Sequence, residues 1–357
     1  MNESQDSEGQ HSTDDRFARY ARQIQYKGFG AAGQERLSRS VAVIVGCGAL
    51  GSVQATTLAR AGVGSLRLID RDFLELNNLQ RQVLYDEKDV ESGIPKAIAA
   101  KNKLAQINSS IEIQSHVSDL NFGNIGRLLD GATVVLDGTD NFETRFLIND
   151  YCVRQQIPWV YGGCLGCDGQ SMTIVPGDTA CLHCLMLEGP PAVGTTQSCD
   201  SAGILSPAIN VIASIQSLEA MKIMAGKPDL IRRTLLSISL WDNRIREMNI
   251  EKLREQVDCP VCKQQSFRWL DGEHGQATSV LCGRNSVQIR LAGGASGFSF
   301  DGLKQKVADR LTRQNQFLIQ FAADELQLTV FKDGRVIVQG TEDIALAKSM
   351  YARWIGN

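Results

Sequence analysis

An unbroken run of β-branched and small apolar residues, Val41 to Val45, ends in a GxGxxG pattern at Gly46, Gly48 and Gly51. Because every residue of the run is apolar, rather than every second one, it suits a strand covered on both faces, as in a parallel sheet. The residues that follow, SVQATTLARAGVG, read as a helix closing at Gly62 and Gly64. Glycines at a strand-to-helix turn let backbone amides and the helix N-terminus approach a phosphate. Asp70 ends the next strand, SLRLID, where a carboxylate can hold ribose hydroxyls. Taken alone, this pattern suits an NAD-dependent oxidoreductase. Ser52 and Val53 follow Gly51 where a Walker motif needs lysine, so a P-loop NTPase is excluded.

Further on, helices near Ala97 to Ile107, near Leu128 and from Glu143 to Gln155 alternate with strands at IEIQSHV, ATVVLD and PWVYGG. That rhythm predicts a Rossmann-like, doubly wound and mostly parallel α/β sheet. A Gly- and Pro-rich stretch, Glu188 to Ser206, reads as a long surface loop. An amphipathic helix around Ala208 to Ala225 follows, then two short strands near Leu235 to Leu240 and Arg246 to Ile250. From Ser266 the character changes. NSVQIRL reads as a strand and Leu303 to Leu311 as a helix, and LQLTVFKDGRVIVQG gives two strands about an Asp333-Gly334 turn before a last helix from Thr341. The expected organisation is a disordered polar leader over 1–15, a main domain over 16–265 and a small α+β domain over 266–357.

The 37 basic and 40 acidic residues are interspersed, giving a net charge of −3 and no extended basic surface for a nucleic acid. No apolar run reaches the roughly 18 residues that cross a bilayer, and the leader lacks a signal-peptide core. A cytoplasmic protein without a membrane partner is expected. Thiols stay reduced there, so the ten cysteines favour metal or thiol chemistry over disulfides. Three pairs have CxxC spacing: Cys164/Cys167, Cys181/Cys184 and Cys259/Cys262. Two such pairs separated by a folded stretch suit a tetrahedral Zn²⁺ site; Cys164/Cys167 could compete as a zinc pair or act as a redox pair, but they read as core or site-wall residues. His183, between Cys181 and Cys184, reads as a loop residue. Cys47 and Cys152 read as small apolar packers, and Cys282 lacks the loop of a persulfide-forming cysteine.

The dinucleotide reading is redirected by DRDFLELNNLQRQ, Asp70 to Gln82, together with Lys96 in GIPKA, Asp140 in DGTDN and RYARQ at Arg19 to Gln23. From about Arg16 to Cys262 the chain resembles the ThiF, MoeB and HesA adenylyltransferases and the ubiquitin-activating enzymes. The likeness implies ATP as substrate, with Asp70 on the ribose, Asn78, Arg81 and Lys96 on the triphosphate, and Asp140 holding Mg²⁺. It implies that Arg22 reaches into the ATP site of a second copy, hence a homodimer. Cys181, Cys184, Cys259 and Cys262 match the family's structural zinc, and Cys199 matches its crossover-loop cysteine, which in some members bonds the substrate. The implied partner is a small ubiquitin-like sulfur-carrier protein ending in Gly-Gly, with a cysteine desulfurase or another donor supplying sulfur for thiamin, molybdopterin or related pathways. The tail favours ThiF-like members, since MoeB chains end near the second zinc pair.

The chemistry agrees with this assignment independently. A C-terminal carboxylate, with a pKa of roughly 3.5, is ionised at neutral pH and attacks a phosphate without a general base. Its obstacle is charge, which basic residues and Mg²⁺ relieve. A carrier-binding scaffold without catalysis remains an alternative, but it would not need the intact set of Arg81, Lys96 and Asp140.

Overall fold

Five parallel strands, β1 (Val41–Val45), β2 (Ser65–Asp70), β3 (Glu112–Val117), β4 (Val134–Asp137) and β5 (Trp159–Leu165), lie in the order β3-β2-β1-β4-β5 in the computed structural model. The structure describes residues 15–190, 202–273, 278–281, 285–289, 299–332 and 334–355. All but the last residue of the polar leader, together with Cys199, Cys282 and Asp333, lie outside the described residues. β1 and β4 are central and buried on both faces, which is why β1 is apolar throughout and β4 is apolar up to its last residue, Asp137. Strand order reverses between β1 and β4, and a doubly wound sheet binds its ligand in the crevice at such a point.

The sheet then continues antiparallel through β6 (Asp168–Ile174), β7 (Thr234–Ser239) and β8 (Arg244–Asn249). β6 is absent from the sequence reading, because its residues include Gly169, Ser171 and Thr173 and so show no apolar alternation. A two-residue turn, Gly166-Cys167, joins it to β5, with Leu165 paired to Asp168. Helices Ala49–Ala61, Lys96–Ile107 and Ser206–Met224 cover one face of the sheet and helix Phe142–Gln155 the other. Among the described residues, no helix is long and apolar enough to cross a membrane.

A second sheet contains β9 (Thr278–Leu281), β10 (Ser286–Ile289), β11 (Leu311–Gln314), β12 (Leu318–Ala323), β13 (Leu326–Phe331) and β14 (Val336–Gln339). It is antiparallel throughout, in the order β11-β12-β13-β14-β10-β9. The β13–β14 hairpin matches the expected pair of strands, with Gly334 at φ 82° in its turn. The expected helix over Leu303 to Leu311 is shorter than its sequence suggests. Ser299 caps helix Phe300–Lys306 through the Gly302 amide, a single 3₁₀ turn follows over Ala308–Arg310, and Leu311 already pairs with Phe321 as strand. Helix Ile344–Trp354 completes the cover of this sheet with Ala347, Met350 and Tyr351. Phe267, Trp269 and Leu270 still pack on the core of the first sheet, and the Trp269 amide donates to Asp150 at 3.0 Å.

Candidate active site

Backbone carries the glycine loop. The Gly46 amide donates to Ile69 at 2.7 Å and the Gly138 amide to Val45 at 2.8 Å, so the ends of β1, β2 and β4 are laced together. Gly46 has φ 91°, and a Cβ there would come within 2.5 Å of the Gly138 carbonyl oxygen. A Cβ on Gly51 would lie 1.8 Å from the Gly46 carbonyl oxygen. Gly48 is different: it is the N-cap of helix Ala49–Ala61, and the nearest side-chain atom to a Cβ there is Gln82 Nε2, at 3.8 Å. Gly46 and Gly51 thus serve the turn itself, whereas Gly48 leaves open space at a helix N-terminus, where an anion is favoured.

Asp70 is bonded into this loop. Its Oδ2 accepts the Cys47 amide and its Oδ1 the Asp72 amide, both at 2.6 Å. Burial raises its carboxyl above the usual aspartate value, Lys96 opposes that rise and Asp72 adds to it. Lys96 opens helix Lys96–Ile107 and is 4% exposed, with Nζ 3.8 Å from Asp72 Oδ2. The Tyr85 hydroxyl donates to the Cys47 carbonyl at 2.7 Å and lies 3.4 Å from the Lys96 carbonyl, joining the glycine loop to the lysine's helix.

The other basic-segment residues divide by role. Arg81 Nη1 donates to the Asn77 carbonyl at 2.9 Å and the side chain is half-buried. Asn78 is buried and spends its amide locally, accepting the Glu75 amide at 3.2 Å and donating to Asn77 at 2.8 Å, so it shapes the turn. Gln82 was not singled out by the sequence. Its Oε1 is buried with no hydrogen-bond partner among the described residues, beside Gly48.

Asp137, at the end of β4, is a second residue that sequence reasoning missed. Its Oδ2 meets Arg145 Nε at 2.9 Å, and its Oδ1 accepts the Thr139 amide and hydroxyl at 2.8 and 2.7 Å. Arg145 also donates to the carbonyls of Thr139 and Gly162, at 2.7 and 3.0 Å. Burial works against the guanidinium charge, but Asp137 more than offsets this and holds it protonated. This buried pair fixes the Gly138–Asn141 loop. Asn141, not Asp140, caps helix Phe142–Gln155 by accepting the Thr144 amide at 2.9 Å, which leaves the Asp140 carboxylate exposed.

Four thiols meet in the second half of the main domain. Cys181 and Cys184 sulfurs are 3.8 Å apart, Cys181 and Cys259 3.8 Å, Cys184 and Cys262 3.7 Å, and all four lie within 4.8 Å of one another. Tetrahedral ligands at the zinc–sulfur distance of about 2.3 Å stand about 3.8 Å from each other, so the cluster has the dimensions of a Cys₄ zinc site. Asn149 steadies it, accepting the Leu182 amide at 2.9 Å and pointing its amide nitrogen at the Cys181 sulfur, 3.7 Å away. His183 is not the loop residue its neighbours suggested. It lies buried in the helical turn Leu182–Leu185, against Phe146 and 3.5 Å from Asp150. Cys164 and Cys167 sit in and beside the β5–β6 turn, and neither belongs to the four-thiol cluster. Cys47 and Cys152 are buried, and burial raises both thiols well above their usual value.

Arg22 stands apart. It is exposed on the turn Ala21–Ile24, whose Gln23 donates to the Ala61 carbonyl at 3.0 Å. Ala61 ends a 13-residue helix that begins at the glycine loop, so Arg22 is placed about 20 Å along the helix axis from Gly48.

A model of the ThiF family matches residues 20–261, well over half of the chain. The chain belongs to the ThiF family. It is 42% identical over 344 residues to the sulfur carrier protein ThiS adenylyltransferase of Bacillus subtilis, an alignment covering 95% of this chain and 99% of that one. With the SAMP-activating enzyme E1 of Haloferax volcanii it shares 37% over 246 residues, 68% of this chain and 88% of that one. With the adenylyltransferase and sulfurtransferase MOCS3 of Culex quinquefasciatus it shares 36% over 247 residues, 69% of this ThiF-family chain but only 55% of the relative. Among solved structures, Escherichia coli MccB superposes with a TM-score of 0.60 at 26% identity, covering 71% of this chain and 73% of that one.

Proposed function

We propose that the chain is an ATP-dependent adenylyltransferase acting on the C-terminal glycine of a ubiquitin-like sulfur-carrier protein. One observation carries the reading: a buried lysine, Lys96, stands within 3.8 Å of Asp72 beside the Asp70-bonded glycine loop. Phosphoryl chemistry needs positive charge where negative charge accumulates, and an ammonium held at the crevice supplies it. In the reaction a carboxylate oxygen of the carrier bonds the α-phosphorus, the bond from that phosphorus to the bridging oxygen breaks, and pyrophosphate leaves. No proton has to move.

Each residue takes a part of this. Amides of the glycine loop and the N-terminus of helix Ala49–Ala61 receive phosphate oxygens, Asp70 the ribose, and Lys96 and Arg81 the charge of the departing pyrophosphate. Asp140, exposed at the crevice, would hold Mg²⁺, which supplies further charge neutralisation. Arg22, remote from its own glycine loop, fits a role in the site of a second copy, and so a homodimer. The carrier's docking surface is the edge strand β8 with the turn before it, where Trp241, Ile245 and Met248 are 77%, 70% and 60% exposed. Cys199 is the thiol proposed to attack the acyl-adenylate, forming a thioester and releasing AMP; hydrosulfide, released from the persulfide of a donor such as a cysteine desulfurase by a thiol reductant, then displaces the Cys199 thiolate and leaves the thiocarboxylate. The four-thiol cluster would hold Zn²⁺ as a staple, since four thiolates leave no open position for substrate.

ATP–pyrophosphate exchange tests the reading. Exchange is expected only when a carrier ending in Gly-Gly is added, and Arg81→Ala or Asp140→Ala should abolish it. Exchange that persists undiminished in both variants would refute the site assignment.

A further inference from the structure

Between Asp70 and Lys96 runs a segment that carries Asp72, Asn78 and Arg81 but contains only a 3₁₀ turn, Leu76–Asn78, and the short helix Glu87–Ser92. So long a connection holds its shape only if something fixes it. Its own ends meet once, where Phe73 bridges Pro95 and the Lys96 amide donates to the Asp72 carbonyl at 2.8 Å. In its middle, Tyr85 bonds the glycine loop and Lys103 pairs with Asp86 and Asp89, and Leu74 and Tyr85 enter the core of the first sheet; at its two ends further anchors come from the C-terminal domain. Arg335, 3% exposed, donates from Nη2 to the Arg71 carbonyl at 2.6 Å, and its guanidinium lies 3.9 Å from the centre of the Phe331 ring. Phe331 in turn stacks on Phe73, ring centres 5.4 Å apart. At the other end, Arg313 Nη2 donates to the Val90 carbonyl at 2.9 Å and Asn315 Nδ2 to the Gly93 carbonyl at 2.7 Å. Gly93, at φ 64°, leaves the room: a Cβ there would lie 2.1 Å from the Arg313 guanidinium.

We propose that the C-terminal domain braces the nucleotide-binding segment at both ends, with Arg335 as a positioning residue that acts through the Arg71 carbonyl. The placement gives this contact leverage. Arg71 sits between Asp70, which is bonded to the glycine loop, and Asp72, the acid nearest Lys96. Releasing its carbonyl lets both carboxylates drift, and the ammonium loses its fixed distance from the loop. The inference rests on the adenylyltransferase reading for its consequence, ATP binding, but not for its mechanical content.

The experiment uses the full-length chain and two readouts: hydrogen exchange across residues 71–95 and the dissociation constant of Mg-ATP by calorimetry. Arg335→Ala should speed exchange in that segment and weaken Mg-ATP about tenfold, the loss of one hydrogen bond from a charged donor. Arg335→Lys, which keeps a donor, should recover part of both. Because Arg335 is buried, Arg313→Ala serves as a second variant from a half-buried position, expected to loosen residues 87–95. Arg353→Ala, which removes the surface pair with Asp324 in the same domain, should change neither readout. Unchanged exchange over 71–95 in both Arg335→Ala and Arg313→Ala would overturn the brace. A wild-type chain that fails to bind Mg-ATP while the exchange pattern follows expectation would instead refute the adenylyltransferase reading and leave the brace standing.

Discussion

The three glycines of the loop look alike in sequence and answer to different constraints. Gly51 has no space for a methyl group, since the Gly46 carbonyl oxygen would stand 1.8 Å from it. Gly51→Ala should therefore destabilise the chain by about 3 kcal/mol or more, read as a fall in the urea midpoint. Gly48→Ala meets nothing closer than 3.8 Å, and a glycine N-cap replaced by alanine costs about 1 kcal/mol or less. If its role is to let a phosphate approach, the Gly48 variant should fold and yet lose affinity for ATP. The pair of measurements separates architecture from binding. Asp137 makes a complementary case. Removing its charge leaves Arg145 buried without its carboxylate, so Asp137→Asn should cost about 3–5 kcal/mol, a loss visible in chemical denaturation before any assay of activity.

At the scale of elements, the parallel half was legible because burial on both faces writes itself into the sequence as an apolar run, as at Val41–Val45 and at Val134, Val135 and Leu136. The antiparallel half was less so. β6 buries Ser171 and Thr173, and its pairing with β5 comes from a two-residue turn whose Gly166 is indistinguishable by itself from other loop glycines. Asp137 and Gln82 escaped for a related reason. The importance of Asp137 lies in the atoms it meets across the chain and that of Gln82 in an oxygen that meets none among the described residues, and a single buried acid or amide leaves no periodic trace. The cysteines sit between these extremes: spacing named three CxxC pairs, the family resemblance selected two of them, and the fold brings those two together. Metal analysis of the purified chain should find one zinc per chain, lost in Cys184→Ser and Cys259→Ser and retained in Cys164→Ser. Stripping it with a strong chelator should lower the melting temperature and expose residues 253–273 to protease, because Leu253, Phe267, Trp269 and Leu270 pack on the core beside the cluster.

For the whole molecule the decisive question is how two copies would share a site. Arg22 hangs from the far end of helix Ala49–Ala61, held there by Gln23, while Lys96 and Asp70 stand at the near end with the glycine loop. One chain thus presents a crevice with its own lysine and a remote arginine that the crevice does not use. If the site is completed in trans, Arg22→Ala and Lys96→Ala should each abolish pyrophosphate exchange, and mixing them should restore it. In a mixed dimer one site combines the intact Lys96 of one copy with the intact Arg22 of the other, while the second site lacks both. Half of randomly paired subunits form such dimers, so activity should recover to roughly a quarter of the wild-type level. Recovery requires subunit exchange, which the same mixture can report by size and mass after differential labelling. A mixture in which mixed dimers form without any return of activity would place Arg22 outside the site, and the second copy would then have no catalytic part.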